Sequence, residues 1–298
     1  MKALVISLFM IHTVLPNAKG CDICGCAIGS GFSSVLPQFQ KNFIGLRTTF
    51  SRFESRHPGN GILIEDRSQS TELLLRYYLH KRIQFIGSMP YNIKSQKEEG
   101  HVTKTIGPGD LAVSLNYTIL NKKEDSFRFK QLLLAGAGLK LPTGKSTISN
   151  DRGLLNQALQ PGSGSLDYLF NASYSIRYKR TGIGNDLQYR MNGENRRKYA
   201  FGNKITVASR CFYWIRLGRN YKILPAVGFL YEKMDNDRQD GYVQPYTGGH
   251  IYSTSAGCEL YYKDLFFSGQ YIHPFSQSLS AGNMNSLPRL QINIYQMF

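Results

Sequence analysis

Apolar and polar residues alternate along several segments of this chain. Between positions 168 and 178 every second residue is apolar, and most of the residues between them are polar. Side chains with a period of two point alternately to the two faces of a β-strand. The segments 73–79 and 205–217 repeat the pattern, although Phe212 and Trp214 fall on the polar side of the second one. Repetition along the whole chain favours a closed barrel over a half-buried soluble sheet.

The alternation predicts an all-β fold, a transmembrane antiparallel up-and-down β-barrel of about twelve strands. In outer-membrane barrels, short periplasmic turns alternate with longer outer loops. Short joints such as 80–82 and 263–264 follow even-numbered strands, whereas long polar stretches such as 57–68 and 141–164 follow odd-numbered ones. The predicted strands are 43–55, 69–79, 83–95, 110–121, 126–141, 165–179, 184–191, 202–217, 221–232, 250–262, 265–275 and 287–298.

The last predicted strand carries a further signal. Leu290, Ile292, Ile294 and Phe298 share one face, and Phe298 is the final residue. An amphipathic last strand with a terminal phenylalanine resembles the sorting signal that the outer-membrane assembly machinery reads. We therefore expect the cell outer membrane as the location, with outer-membrane lipid and this machinery as partners.

The first twenty residues predict a cleavable signal peptide. Lys2 precedes an apolar stretch at 3–15, and Ala18 and Gly20 are small residues at the positions a signal peptidase reads. The predicted organisation is a signal peptide at 1–20, a cysteine-containing periplasmic segment at 21–42 and an outer-membrane barrel at 43–298.

The charge of the chain does not indicate a nucleic-acid partner. The formal net charge is +16, from 36 Lys and Arg against 20 Asp and Glu, but the basic residues are spread singly and form no block. The chain has 19 Tyr and 17 Phe. Tyrosine is favoured in strands and at membrane–water boundaries, so this composition fits the barrel.

Two glycine-rich stretches carry a family resemblance. Positions 141–144 read Leu-Pro-Thr-Gly, and positions 160–167 read Gln-Pro-Gly-Ser-Gly-Ser-Leu-Asp. Here the chain resembles a family of bacterial outer-membrane proteins labelled as transporters of the meta-pathway of phenol degradation. The opening Cys-Asp-Ile-Cys-Gly-Cys at 21–26, with 36–39 and 43–47, is similar to a version found in the Bacteroidetes. The resemblance implies a Gram-negative outer-membrane barrel and a role in transport.

Cys21, Cys24 and Cys26 form a CxxCxC cluster ahead of the first strand. Thiolates bind soft metals such as Cu(I) and zinc, but a disulfide also forms readily in an oxidising compartment. Attachment of lipid to Cys21 is a third interpretation. Gly25 stands where a c-type haem signature needs histidine. The sequence therefore leaves metal binding and disulfide formation open, and we expect no other cofactor.

The predicted lumen is rich in cations, and these are the candidate solute contacts. Rings of positive charge favour anions in a wet pore. The alternative is a network of interior salt bridges that plugs the barrel, and twelve strands fall between filled and open barrels. The candidate residues are Arg47, Arg76, Arg128, Lys130, Lys140, Arg177, Arg190, Arg210 and Arg216, with the acids Glu72 and Glu259.

These features favour a porin-like barrel that passively admits a small solute, anionic or aromatic, with the long loop at 142–164 folding inward to select it. The alternative is a non-porous barrel whose cysteine segment binds metal or handles thiol redox. A minor alternative is an outer-membrane lipase, in which His273 would work with Ser276 or Ser278. Nothing marks a nucleophilic serine, so we expect no enzyme.

Replacing Cys21, Cys24 and Cys26 by serine tests the cysteine alternative. If this segment binds metal, the wild-type protein binds zinc or Cu(I) and the triple variant does not, because the thiolate ligands are gone. Elemental analysis measures the metal bound by each protein, and solute permeation is measured on both. Absence of metal from the wild type, with intact permeation in the variant, would contradict the alternative.

Overall fold

The computed structural model describes residues 41–57, 61–122, 129–151 and 153–298. Within them the chain forms a closed barrel of twelve strands. The strands are β1 (Phe43–Arg56), β2 (Leu63–His80), β3 (Ile83–Glu98), β4 (His101–Pro108 and Ala112–Lys122), β5 (Phe129–Lys140), β6 (Asp167–Tyr178), β7 (Thr181–Met191), β8 (Lys204–Tyr213 and Ile215–Leu217), β9 (Tyr221–Met234), β10 (Gly249–Tyr262), β11 (Leu265–Leu279) and β12 (Met284–Ser286 and Arg289–Met297).

Each strand is antiparallel to its neighbours in the chain, and β1 also pairs with β12 to close the barrel. The pairing at this seam runs from Phe43 opposite Met297 to Phe50 opposite Leu290. The prediction of a twelve-stranded up-and-down barrel is therefore confirmed. Both ends of the barrel sequence meet at the seam, on the side of the short turns.

Two outer loops are shorter than the sequence predicted. β2 begins at Leu63 rather than near position 69, and β3 and β4 extend past their predicted ends as one hairpin. Glu99 and Gly100 make its two-residue turn, with φ of 46° and 83°, which are the left-handed values such turns require. The extension was missed because its outward residues, such as Lys104, are polar and break the alternation.

The outer and inner faces of the barrel differ in polarity. On β12, Leu290, Ile292 and Ile294 point outward and are 42–46% exposed, whereas Gln291 and Asn293 point inward and are buried. An apolar outer band over a polar interior is the pattern of a strand that crosses the outer membrane. No helix in the described part of the chain is long and apolar enough to cross a membrane.

Aromatic rings fill part of the interior near the short turns. Phe43, Tyr295, Phe266, Tyr261 and Trp214 form a continuous row, hereafter the aromatic row, with neighbouring ring centroids 4.7 to 6.4 Å apart. All five side chains are buried. They belong to β1, β12, β11, β10 and β8, so the row ties one side of the barrel together. Trp214 departs from the alternation because it points into this cluster.

Gly45→Val should destabilise the seam. Gly45 lies inward on β1, and a Cβ there would be 2.2 Å from Ile294 O and 2.5 Å from the Tyr295 ring. Overpacking of this kind costs about 1–3 kcal/mol. Urea unfolding of the barrel refolded in vesicles should show the loss.

Gly269→Val is the matched control, because a Cβ on Gly269 meets nothing within 4 Å. Equal stability of the two variants would contradict the tight packing of Tyr295 on Gly45.

Candidate functional site

The loop between β5 and β6 folds into the barrel at the long-loop end. Its residues 157–163, hereafter the inner loop, include buried Gln157, Leu159 and Gln160. Three inward side chains of β3 and β4 bind its backbone carbonyls. These hydrogen bonds run from Lys94 Nζ to Ala158 and Gln160 (2.8 and 2.9 Å), from Thr105 Oγ1 to Leu159 (2.5 Å) and from Asn92 Nδ2 to Pro161 (2.8 Å). The inner loop therefore narrows the outer mouth.

Buried charges fix the end of the inner loop. Asp110 accepts hydrogen bonds from the backbone nitrogen and the hydroxyl of Ser163, both at 2.7 Å. Lys140 Nζ lies 2.8 Å from Ser163 Oγ and forms a buried ion pair with Asp167. Charge-assisted hydrogen bonds of this kind are stronger than neutral ones, so this end of the loop is rigidly placed.

The two glycine-rich motifs meet at the same point. A Cβ on Gly162 would lie 2.6 Å from the backbone of Gly144. The two chain segments can therefore lie this close only because both positions are glycine. Thr143 Oγ1 accepts the backbone N–H of Leu111 at 2.8 Å. The Pro-Thr-Gly and Gly-Ser-Gly-Ser stretches are thus the two ends of one inward loop, which gives their spacing a structural reason.

The neighbouring outer loops support the inner loop. Arg197, between β7 and β8, donates to Ser146 O at 3.0 Å and to the side chain of Gln157. Burial lowers the pKa of its guanidinium. Asp237, between β9 and β10, accepts hydrogen bonds from Tyr199 Oη (2.5 Å) and the Gly202 nitrogen (2.8 Å). Three loops therefore form one assembly over the mouth.

Several interior cations are paired with acids. Arg47 lies 2.5 Å from Glu72 on the next strand. Lys204 and Arg289 bind the two carboxylate oxygens of Glu232, with 2.9 Å for the lysine. Buried charges need such partners, because an unpaired one costs several kcal/mol. These cations hold the interior together and do not form a ring of positive charge.

Arg76 contacts an aromatic ring and a backbone carbonyl. Its guanidinium lies 4.6 Å above the ring of Phe43, and its Nη2 donates to the Lys41 carbonyl at 2.7 Å. The arginine is buried. It therefore anchors the residues before β1 to the aromatic row.

The wall formed by β6, β7 and β8 is more open. Its inward residues Ser173, Ser175, Asp186 and Arg210 are only partly buried. Gly184 also points inward, and a Cβ there would meet nothing within 4 Å. Small side chains and a glycine beside free space leave a short water-accessible strip in the middle of this wall, bounded by the buried side chains of Gln188 and Phe212.

Two arginines flank this strip. In the strand register, Arg177 on β6 lies opposite Gly182, and Arg210 on β8 lies opposite Gly184. Among the described residues, the buried Nε atoms of both arginines have no hydrogen-bond partner. The Arg177 guanidinium also lies 4.5 Å from the Trp214 ring centroid. The two guanidinium groups and the glycine gap between them are a candidate anion site.

The remaining predicted residues lie as follows. Lys130, Arg190 and Glu259 point inward, and Glu259 accepts a hydrogen bond from Tyr261 Oη at 2.7 Å. Arg216 is exposed at the short-turn end of β8. The residues Arg128, Cys21, Cys24 and Cys26 lie outside the described residues. Contact of any of these residues with a solute or metal stays a prediction.

Sequence reasoning missed the polar residues that hold the inner loop and the glycine that borders free space in the lumen. Asn92 and Thr105 lie where the sequence predicted the end of a strand and a loop. Gly184 is the first residue of predicted strand 7. A glycine on the inward face of a strand was the available signal, because it leaves a gap on that wall of a barrel unless a neighbouring side chain fills it.

No protein-family model and no curated protein sequence matches the chain. Among solved structures, an outer-membrane channel from Pseudomonas putida F1 is similar, with a TM-score of 0.61 and 13% identity over 87% of this chain and 96% of that one. The β domain of the Bordetella autotransporter Brka gives a TM-score of 0.48 and 10% identity, over 87% of this chain and all of the other. At these identities the first likeness shows the fold, and the second carries no argument.

The fold and the apolar outer band together define the class of the protein. It is a twelve-stranded outer-membrane β-barrel, and its location is the outer membrane. The short turns then face the periplasm and the inner loop faces the outside.

The double variant Lys94→Met and Thr105→Val should release the inner loop. It removes three hydrogen bonds to the loop backbone and keeps the side chains close in size. Hydrogen bonds to charged groups contribute about 1.5–3 kcal/mol each. Trypsin should therefore cut the loop several-fold faster, for instance at Lys145, in the refolded barrel.

Lys97→Met is the control, since Lys97 lies outward on the same strand as Lys94. An unchanged cleavage rate in the double variant would contradict the role of these hydrogen bonds.

Proposed function

We propose that the barrel is a passive channel for a small anionic solute. The observation that carries the proposal is the water-accessible strip on β6–β8, where Arg177 and Arg210 flank Gly184. The strip carries these two guanidinium groups against one inward acid, Asp186, which interacts with Arg210, so positive charge is in excess there. A narrow part of a pore that is lined by cationic side chains favours anions, because a passing ion comes close to those charges.

The inner loop adds selection by size. It covers the β3–β5 side of the outer mouth. The aromatic row fills the side of β1 and β10–β12 near the periplasm and reaches β8 through Trp214. A solute entering past the loop is therefore directed toward β6–β8. The likeness to an outer-membrane channel supports passive conduction as the mode of transport.

An aromatic solute has less support. The rings of the aromatic row pack on one another and are buried, so they offer little free ring surface. A phenolic or other aromatic anion would meet the two arginines before it met an aromatic face. We therefore propose the anionic group, rather than the ring, as the feature recognised.

The second candidate is a non-porous barrel whose cysteine segment binds metal or handles redox. The specific observation in its favour is the combination of the packed aromatic row with the inner loop, since together they fill much of the interior. The two candidates differ in conductance.

The test is the single-channel conductance of the refolded barrel in a planar bilayer, under a salt gradient. The wild type should conduct with a reversal potential that indicates anion preference. Gly184→Phe should lower the conductance at least several-fold, because the ring enters free space on the strip.

Ile183→Phe is the matched control, because Ile183 is the neighbouring residue on the outward face of β7. The double variant Arg177→Gln and Arg210→Gln should conduct with a lower anion preference. No conductance from a barrel shown to be folded by circular dichroism would contradict the channel and favour the second candidate. Equal effects of the two phenylalanines would contradict the strip as the pathway.

A further inference from the structure

A group of basic residues lies on the lipid-facing side of β1, β2, β3 and β4, toward the outer loops. Arg52 on β1 lies directly opposite Arg67 on β2. Arg67 lies opposite Ser95 on β3, and Ser95 lies opposite Lys104 on β4. Arg52, Arg67 and Lys104 therefore stand in one row across four strands, hereafter the basic row. All three are exposed.

This arrangement is unfavourable for the protein alone. Like charges that lie directly opposite one another on neighbouring strands destabilise a sheet. The next row outward holds Glu54 opposite Glu65, and Glu65 also lies opposite Lys97 on its other side. Arg67 approaches Glu65 at 3.5 Å, but its side chain is 62% exposed, and exposed ion pairs contribute little. In their own row the two opposed arginines face no acid, so the pair calls for an external anion.

The level of Arg52, at one end of the basic row, fits the edge of the hydrocarbon layer. On the membrane side, the adjacent row presents Phe50, Ile93 and Ile106, of which Phe50 and Ile106 are exposed apolar side chains. Arg52 lies nine positions beyond Phe43, which is near the periplasmic end of β1. At a rise of about 3.3 Å per residue and a tilt of about 40°, this spans about 23 Å along the barrel axis, close to the height of an outer-membrane apolar band.

From these observations we infer that the basic row binds the phosphate groups of a phosphorylated glycolipid in the outer leaflet. The acyl chains would lie on Phe50 and Ile106, and the phosphates would lie between the opposed guanidinium groups. Arginine suits this role because its planar group binds phosphate through two parallel hydrogen bonds. Lys97, two positions beyond Ser95 on the outward face of β3, lies opposite Glu65 and does not belong to the basic row. The inference is independent of the proposed channel.

The experiment uses the full barrel refolded into phosphatidylcholine vesicles. One set contains bis-phosphorylated lipid A, a second contains the same glycolipid without its phosphates, and a third contains neither but has inorganic phosphate in the buffer. The variant is Arg52→Gln, Arg67→Gln and Lys104→Gln together. The control removes the same charge at the short turns, with Lys81→Gln, Arg219→Gln and Lys263→Gln.

The readouts are the apparent Tm, followed by the gel mobility of heated samples, and the bound glycolipid counted by native mass spectrometry. Phosphorylated lipid A should raise the Tm of the wild type and the control by several degrees and remain bound to both. The basic-row variant should lose both effects. The single variants Arg52→Gln and Lys104→Gln, which should each lose part of them, serve if the triple variant does not refold.

Three outcomes would overturn the inference. Equal stabilisation by the glycolipid without phosphates would assign the effect to acyl chains. Equal stabilisation of the basic-row variant would place the phosphate elsewhere. The same Tm shift with inorganic phosphate alone would show an anion site that does not require a lipid.

Discussion

A hydrocarbon layer offers no hydrogen-bond partner to a backbone amide, so a sheet that crosses it must have no free edge. In this protein that requirement is met where β1 pairs with β12, from Phe43 to Phe50 on one strand and Met297 to Leu290 on the other. The other features depend on this closure. It brings both ends of the barrel sequence together at the periplasmic rim, and it encloses an interior that the chain must fill or hydrate.

The interior is filled unevenly, and this asymmetry gives it a candidate pathway. Near the seam, the aromatic row packs from β1 round to β8, with Tyr295 lying over Gly45. On the β3–β5 side, the inner loop occupies the outer mouth. The wall of β6–β8 carries serines and glycines, and Gly184 borders free space. The aromatic row occupies one wall near the periplasm, and the inner loop occupies a second wall at the outer mouth. We therefore propose that a solute passes along the third wall, β6–β8.

Charge is used in three different ways in the same barrel. Inside, pairs such as Arg47 with Glu72 satisfy buried groups at low dielectric, where an unpaired charge is costly. At the proposed pathway, Arg177 and Arg210 face the lumen across a glycine gap. On the outer surface, Arg52 and Arg67 lie opposite each other at the edge of the apolar band. The net charge alone does not distinguish these roles.

The sequence by itself determined the strand number, the antiparallel order and the face of most residues, because a period of two and the alternation of short and long joints are local properties. It also indicated that the loop after β5 was long enough to fold inward. It could not show that Lys140 pairs with Asp167, or that Lys94 donates hydrogen bonds to carbonyls of the inner loop. These contacts join residues that come together only when the loop folds inward.

Only the tertiary structure decided which interior cations are neutralised and which wall is open. That outcome depends on the register between strands and on the position of the inner loop. The alternation of apolar and polar residues along the chain predicts neither. The polar outward residues of the β3–β4 hairpin show the same limit, since a strand that rises beyond the membrane no longer needs an apolar outer face.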